Sequence, residues 1–234
     1  MREEATAFVP GHITGFFSAH PNEDPTRAGS RGAGLTLSDG VEVTVSPAAE
    51  SVVVLDGREI DVEPVTGVLE SLGVSARVEA RAEIPLGSGF GVSGAMALGT
   101  ALAANQVFDC RRSRNELVTI AHVAEVRAGT GLGDVVAQAR GGVPIRLEPG
   151  GPALNELDGI PARSRVEYVS FGQLSTARCC RAIRRCCRPR ASGRSNASST
   201  NRPSRRSSRP RAGSLARRNY SPRPFATRSR MSPR

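Results

Sequence analysis

The 234-residue chain contains no lysine, and all 32 of its basic residues are arginine. This absence excludes a Walker P-loop, because that phosphate-binding motif requires a lysine. One interpretation of the arginines is functional, since a guanidinium suits two-pronged recognition of phosphate. The plainer interpretation, which we prefer, is a gene rich in G and C, whose codons favour arginine, alanine, glycine and proline.

Long apolar runs are also absent. No stretch approaches 18 consecutive apolar residues, which argues against a transmembrane helix. The first four residues are acidic rather than basic, and no apolar run with a small-residue cleavage site follows them. We therefore expect no secretory signal and no membrane partner, and the expected compartment is the cytoplasm.

Acidic residues are missing from the end of the chain. Residues 1–177 hold 14 arginines and all 22 acidic residues, whereas residues 178–234 hold 18 arginines and no acid. A single folded domain seldom separates charge in this way, so the two regions are interpreted separately. Hydrophobic periodicity also ends after Ala177, which predicts a disordered tail rich in Arg, Ser and Pro.

The five cysteines do not suggest a site. Cys179-Cys180 and Cys186-Cys187 are adjacent pairs without the spacing of zinc ligands. A disulfide framework fits poorly with a cytoplasmic protein, and Cys110 is expected to be a buried or partly buried thiol. We assign no role to any of them.

The first part of the acidic region is predicted to be rich in strands. A first strand over residues 5–9 is expected to end at Pro10-Gly11. Turn residues between alternating segments predict hairpins around Ser38-Asp39-Gly40 and around Asp56-Gly57. A helix over residues 64–72 and a long half-buried strand over residues 74–84 are predicted to follow.

The second part is predicted to be mainly helical. Apolar spacing and glycine breaks indicate helices that end near Val107, Arg127 and Arg140. Strands are predicted over residues 143–147 and 165–171. Strands first and helices later give an α+β fold class.

A glycine-rich stretch lies between the predicted strand over 74–84 and the following helix. Glycines in such a place let backbone N–H groups approach phosphate oxygens, and the helix N-terminus adds a favourable dipole. A G-x-G-x-x-G pattern occurs at Gly89, Gly91 and Gly94. It does not indicate a dinucleotide site, because no acidic residue follows about 20 positions on at a strand end. The stretch predicts a phosphate site, with a purely structural glycine loop as the alternative.

The stretch Pro85-x-x-x-Gly89-Phe90-Gly91-Val92-Ser93-Gly94-Ala95 resembles the second motif of the GHMP kinases, whose usual form is P-x-x-x-G-L-G-S-S-A-A. Phe90, Val92 and Gly94 depart from that form, and Ser93 keeps a hydroxyl. The resemblance implies that the loop wraps the phosphates of ATP and that Ser93 helps to hold Mg²⁺ or phosphate. It implies as nucleotide-binding residues Pro85, Gly87, Ser88, Gly89, Gly91, Ser93 and Gly94.

The segment from Glu125 to Asp134, followed by Gly141-Gly142, resembles a further part of the same family, although its spacing is about two residues shorter than in mevalonate kinases. The resemblance implies that Glu125 supports Mg²⁺, together with Ser93, and that Asp134 activates the attacking hydroxyl. These roles suit phosphoryl transfer, which needs positioning, neutralisation of charge by a metal and an acceptor for the hydroxyl proton.

Three further segments resemble the archaeal pantoate kinase branch of the family: residues 5–17, 29–34 and 141–146, with residues 171–176 extending the match. The resemblance implies the family's N-terminal domain, of the ribosomal protein S5 domain 2-like type. It also implies phosphorylation of pantoate by ATP to 4-phosphopantoate, a step towards coenzyme A. A homodimer is left open.

The substrate carboxylate needs a cationic partner, and arginine serves best through a two-pronged contact. Arg146, just after the glycine pair, is the first candidate, and Arg31 is the second. Ser30, His122 and Thr176 are weaker candidates for contacts with substrate hydroxyls. For these three, a capping or packing role is an equal alternative.

The tail leaves two interpretations open. The family's third glycine-rich motif is missing after Thr176, and the abrupt change in composition is what a frameshift in a G+C-rich gene would produce. The expected organisation is an ATP-binding and catalytic domain over residues 1–150, the start of an incomplete C-terminal domain over 151–177, and the tail over 178–234. We expect this chain to be inactive if the motif is truly lost.

The rival interpretation makes the tail a nucleic-acid-binding arm on a degenerate kinase scaffold, because its arginines would bind phosphate strongly. Only Tyr220 and Phe225 could stack on bases in it, which argues against that function. No nucleic-acid partner is therefore expected unless the tail is genuine. Within the enzyme class, a different small alcohol could replace pantoate, since a fold does not fix the substrate.

Overall fold

Two long strands begin the fold, and residues 21–28 connect them. The computed structural model describes residues 2–162 and 164–169. In it, β1 (Ala5–His20) and β2 (Gly29–Pro47) pair antiparallel over most of their length. β2 is the centre of the sheet, since it also pairs with later strands on its other edge.

The sheet contains seven strands in the described part of the chain. After the first two come β3 (Val52–Leu55), β4 (Arg58–Glu59), β5 (Ala76–Ala82), β6 (Val143–Glu148) and β7 (Glu156–Ile160). Their order is β4-β3-β5-β2-β6-β7, with β1 paired to β2 outside this path. β3 and β5 are parallel and the other pairs are antiparallel, so the sheet is mixed.

Within the described residues, four helices accompany this sheet, and two of them have recognised capping residues. The four are α1 (Glu63–Leu72), α2 (Val92–Val107), α3 (Arg114–Ala128) and α4 (Asp134–Arg140). α3 begins with a capping box in which Ser113 and Glu116 satisfy each other's backbone N–H groups. α1 and α3 both end at a glycine in the left-handed conformation, Gly73 and Gly129.

α2 is the central helix of the core and is buried on nearly all sides. Its alanines and glycines allow it to lie very close to β2. A Cβ atom on Gly99 would lie 2.6 Å from Cγ2 of Val43, so a larger residue at this position would push the helix off the sheet. The close packing fixes the position of α2, including its first turn, relative to the sheet.

Most of the predicted elements are confirmed. The four predicted helices are present, and the hairpin around Asp56-Gly57 joins β3 to β4. The predicted strands over residues 74–84 and 143–147 correspond to β5 and β6. The α+β fold class is therefore correct.

Two predictions about the first strands are wrong. β1 does not end at Pro10-Gly11, and Ser38-Asp39-Gly40 does not reverse the chain, because both segments lie at one shift in register between two continuous strands. Pro10 pairs with Gly40, whereas His12 pairs with Thr36. Turn-forming residues here accommodate a β-bulge, which a sequence pattern alone does not distinguish from a hairpin.

The end of the described chain also differs from the prediction. Residues 165–169 of the predicted strand over 165–171 are not in a strand, and residues 170–171 lie outside the described residues. β7 was not predicted, and it pairs with β6 across the expected domain boundary at residue 150. The division of the chain into domains stays a proposal, since residues 170–234 lie outside the described part.

None of the helices in residues 2–162 and 164–169 combines the length and the apolar character needed to cross a membrane.

Candidate active site

The glycine-rich stretch forms the loop between β5 and the first turn of α2. Gly91 precedes the helix with a φ of 67°, in the left-handed region that favours glycine. No side chain caps this helix end, so its first backbone N–H groups are available to an anion. The backbone carbonyl of Phe90 accepts a hydrogen bond from the backbone N–H of His12 at 3.0 Å. The loop is thereby tied to β1.

Ser93 links this loop to a buried carboxylate. Its side chain, in the first turn of α2, is hydrogen-bonded to Glu125 near the end of α3. Glu125 is only 2% exposed, and Thr130 donates a hydrogen bond to its Oε1 at 2.8 Å. Burial raises the pKa of Glu125 to about 7; the hydrogen bonds from Ser93 and Thr130 oppose the shift and the nearby Asp134 adds to it.

Asp134 is the first residue of α4 and lies beside Glu125. Its Oδ1 accepts a hydrogen bond from Nδ1 of His12 at 2.7 Å. A Cβ atom on Gly131 would overlap Oε2 of Glu125 and lie 3.5 Å from Oδ2 of Asp134. The glycine thus lets two carboxylates lie near each other around one small space. The side chain of Asp134 is 22% exposed, so this space is open to a ligand.

Arg146 of β6 supplies a buried positive charge next to Asp134. It is 3% exposed, and its Nε and Nη1 have no hydrogen-bond partner within the described part of the chain. Burial lowers the pKa of Arg146, and Asp134 opposes that shift. A guanidinium nevertheless stays protonated in proteins. Two buried donors of a charged group without a partner are costly, and they indicate a place for an anionic ligand.

Ser30 of β2 lies in the same place. A Cβ atom on Gly133 would lie 2.6 Å from Oγ of Ser30 and 2.9 Å from Nε of Arg146. Gly133 therefore allows the turn before α4 to approach both side chains. The structure brings Ser93, Glu125, Asp134, Arg146 and Ser30 together from five separate segments of the chain.

Three other predicted residues do not join this cluster. Arg31 is exposed and forms an ion pair with Glu148 at 2.7 Å. His122 is buried, with its Nε2 donating to the carbonyl of Ala28 at 2.9 Å, and burial lowers its pKa. This bond is a packing contact that holds the chain just before Ser30. Thr176 lies outside the described residues.

The other residues predicted to bind nucleotide lie in the glycine loop and at the start of α2. Between β5 and α2 lie Pro85, Gly87, Ser88 and Gly89, exposed or half-buried, and Gly94 is buried in the first turn of α2. No group of three or more His, Cys, Asp or Glu side chains arranged to hold a metal occurs among residues 2–162 and 164–169. A cation here would depend on few protein ligands.

Sequence reasoning missed two functional candidates. His12 lies in the segment of residues 5–17, for which the sequence predicted no individual role, although a histidine inside an apolar strand is a signal for a buried polar contact. Gln138 lies one helical turn after Asp134, and its Nε2 donates to the carbonyl of Gly91 at 2.9 Å. Gln138 thereby joins α4 to the glycine loop at the N-terminal end of α2.

Comparison with known proteins shows what this chain is similar to. The family model of the GHMP kinases N terminal domain matches residues 62–142. The chain is 38% identical over 154 residues to a pantoate kinase of Methanospirillum hungatei, a match that covers 62% of this chain and 53% of that protein. It is 37% identical over 184 residues to a pantoate kinase of Thermococcus kodakarensis, covering 73% and 61%.

A solved structure described as a phosphotransferase related to the CoA biosynthesis pathway has the same fold. It is 35% identical with a TM-score of 0.63, and the match covers 67% of this chain and 57% of that one. The chain spans between about half and three fifths of the length of the curated relatives it matches. The mixed sheet, the glycine loop before α2 and the match to residues 62–142 agree, and the chain therefore contains the N-terminal domain of the GHMP kinases.

Proposed function

We propose that this site transfers the γ-phosphoryl group of ATP to the hydroxyl of a small hydroxy acid, and that the acid is pantoate. The observation that carries the proposal is the buried guanidinium of Arg146. It lies beside the carboxylate of Asp134, and two of its donors are unpaired in the described part of the chain. An anionic group on the substrate would satisfy those donors. The similarity to pantoate kinases supports pantoate as that substrate.

The glycine loop suits the phosphates of ATP. The uncapped first turn of α2 presents backbone N–H groups and a helix dipole, and the glycines leave space for the phosphates. Mg²⁺ fits the donors present, because it prefers oxygen ligands and keeps few protein ligands beside substrate phosphates. Ser93 and Glu125 would hold it. Bound Mg²⁺ would neutralise negative charge on the phosphates.

Asp134 would accept the proton from the hydroxyl group of the acid. One of its oxygens is held by His12, while the other borders the open space at Gly131. In the transfer, the O–H bond of the alcohol group of the hydroxy acid breaks, and its proton passes to the carboxylate of Asp134. The freed oxygen then bonds to the γ-phosphorus as ADP leaves. Arg146 and Ser30 would bind the carboxylate and a second oxygen of the acid, which orients the reacting hydroxyl.

Calorimetric titration of the full chain with pantoate tests the proposal. Arg146→Met should weaken binding by about 100-fold or more, because it removes the charged partner of a buried carboxylate. Arg31→Met is the matched control and should change the Kd by less than about threefold, since Arg31 is solvent-exposed. Equal losses in the two variants, or no binding of pantoate to the unaltered chain, would contradict the proposal.

A further inference from the structure

His12 contacts both halves of the proposed site. Its backbone N–H donates to the carbonyl of Phe90 in the glycine loop at 3.0 Å. Its imidazole Nδ1 donates to Oδ1 of Asp134 at 2.7 Å. One residue of β1 therefore fixes the position of the phosphate loop through its main chain and the position of the carboxylate through its side chain.

A β-bulge lies beside this side chain, and its extra residues are on β2, where residues 37–39 lie opposite Gly11 alone. The register of β1 on β2 shifts between Pro10 and His12, and Gly11 and His12 are both buried although they are neighbours. In a regular strand, adjacent side chains would point to opposite faces. At this irregularity the imidazole of His12 faces α4 and contacts Asp134, and β-bulges often lie next to active sites.

The far side of the imidazole is closed. Nε2 of His12 is buried and has no hydrogen-bond partner within residues 2–162 and 164–169. The backbone of Gly34 on β2 lies against the ring, so a Cβ atom there would overlap Nε2 and lie 3.0 Å from Cε1. A nitrogen closed to solvent cannot pass a proton onward, so the ring acts through Nδ1 alone.

We propose that His12 is a positioning residue for Asp134, an inference that rests on the proposed function. By holding Oδ1, it keeps Oδ2 on the side of Gly131 and Glu125, where the acceptor hydroxyl would lie. The proton from that hydroxyl ends on Asp134, and His12 exchanges none. The hydrogen bond restrains rotation of the carboxylate, and small errors in the placement of a catalytic group reduce turnover strongly.

The first test does not depend on turnover. The chain has three histidines, so ¹⁵N spectra of its imidazoles are simple, and His20→Asn identifies one exposed ring as a control. Protonated and unprotonated ring nitrogens have well-separated ¹⁵N shifts. We expect His12 to carry its proton on Nδ1, and Asp134→Asn to alter that signal while leaving the His20 signal unchanged. A proton on Nε2 alone would overturn the proposal. So would a ¹⁵N shift of His12 that does not change in Asp134→Asn.

The second test separates positioning from packing. The side-chain nitrogen of asparagine can take the place of Nδ1, whereas that of glutamine takes the place of Nε2. His12→Gln should lower kcat by about 100-fold with little change in either KM, and His12→Asn should keep most of the kcat. Equal losses in both variants, or losses confined to KM, would overturn the proposal. A chain without turnover contradicts the proposed function instead, and the spectra then decide on His12.

Discussion

Thr130 donates a hydrogen bond to Oε1 of Glu125 across 2.8 Å and leaves the other oxygen of that carboxylate facing Gly131. Both contacts come from the turn between α3 and α4, which also ends at Asp134. The turn therefore holds the buried side chain of Glu125 in place through a hydrogen bond and not, among the described residues, through a positively charged partner. The stability and the activity of the domain should both depend on this arrangement.

The buried Glu125 should make the fold less stable as pH rises. Its pKa is raised from 4.5 to about 7 in the folded protein, so between these values the folded state binds more protons than the unfolded state. The free energy of unfolding should then fall with increasing pH, by up to about 3 kcal/mol over this window. Glu125→Gln should remove this fall.

Urea unfolding from pH 4 to pH 8 measures the difference between the unaltered chain and Glu125→Gln. Hydrogen bonds lower the pKa values of Asp24 and Glu116, and their opposite contributions cancel in that difference. A difference that stays constant across the window would mean that Glu125 is not protonated in the folded protein at pH 5.

Gly131→Ala should disable the site while leaving the fold largely intact. The new Cβ atom would overlap Oε2 of Glu125 and displace the carboxylate, so kcat should fall by about 100-fold or more. Gly67→Ala is the matched control, because its Cβ would lie at an ordinary 3.4 Å from Cβ of Ala124. Steady-state kinetics and thermal unfolding compare the two; unchanged turnover in Gly131→Ala would remove Glu125 from the site.

Arg146 is expected to lower the stability of the fold while it contributes to binding of the substrate. Because its buried charge has no full set of partners in the described structure, Arg146→Met should raise the free energy of unfolding by about 1 kcal/mol or more. Arg31→Met breaks an exposed ion pair and should change it by less than about 1 kcal/mol. Denaturant titration without substrate measures both. Strong destabilisation by Arg146→Met would assign Arg146 to the support of the fold.

Gln138 should influence ATP rather than the acid. It holds the carbonyl of Gly91 at the end of the glycine loop, just before α2, so Gln138→Leu should raise the KM for ATP by about tenfold, the equivalent of one hydrogen bond. The KM for pantoate should change little. The opposite pattern would show that α4, and not the loop, depends on this contact.

The sequence allowed the local parts of the site to be predicted. Glycine before α2, a serine in its first turn and glycines around the α3–α4 turn are signals within short segments, and each element formed as expected. Arg146 was also predicted, as the partner of the substrate carboxylate, because it follows a glycine break at the start of a strand. Local patterns carried these predictions since the elements are set by propensity and capping.

The rest depended on contacts that no local pattern encodes. His12 and Asp134 are separated by 122 positions, and their contact requires a bulge that also misled the hairpin prediction at Ser38-Asp39-Gly40. Arg31 follows Ser30 directly, yet adjacent strand residues face opposite sides, so only Ser30 lies with Arg146 beside Gly133. Register decides which of two neighbours lies in a site, and register is set by the whole sheet.

The most direct test of the central claim is a competition assay with the full chain, ATP and Mg²⁺. Equal concentrations of pantoate, homoserine and mevalonate are supplied, and the phosphorylated products are identified by mass spectrometry, with Asp134→Asn as the blank. The account predicts 4-phosphopantoate as the main product and none in the blank, in contrast to the inactivity expected if the third glycine-rich motif is lost. Preferential phosphorylation of another acid, or no phosphorylated product from the unaltered chain, would contradict it.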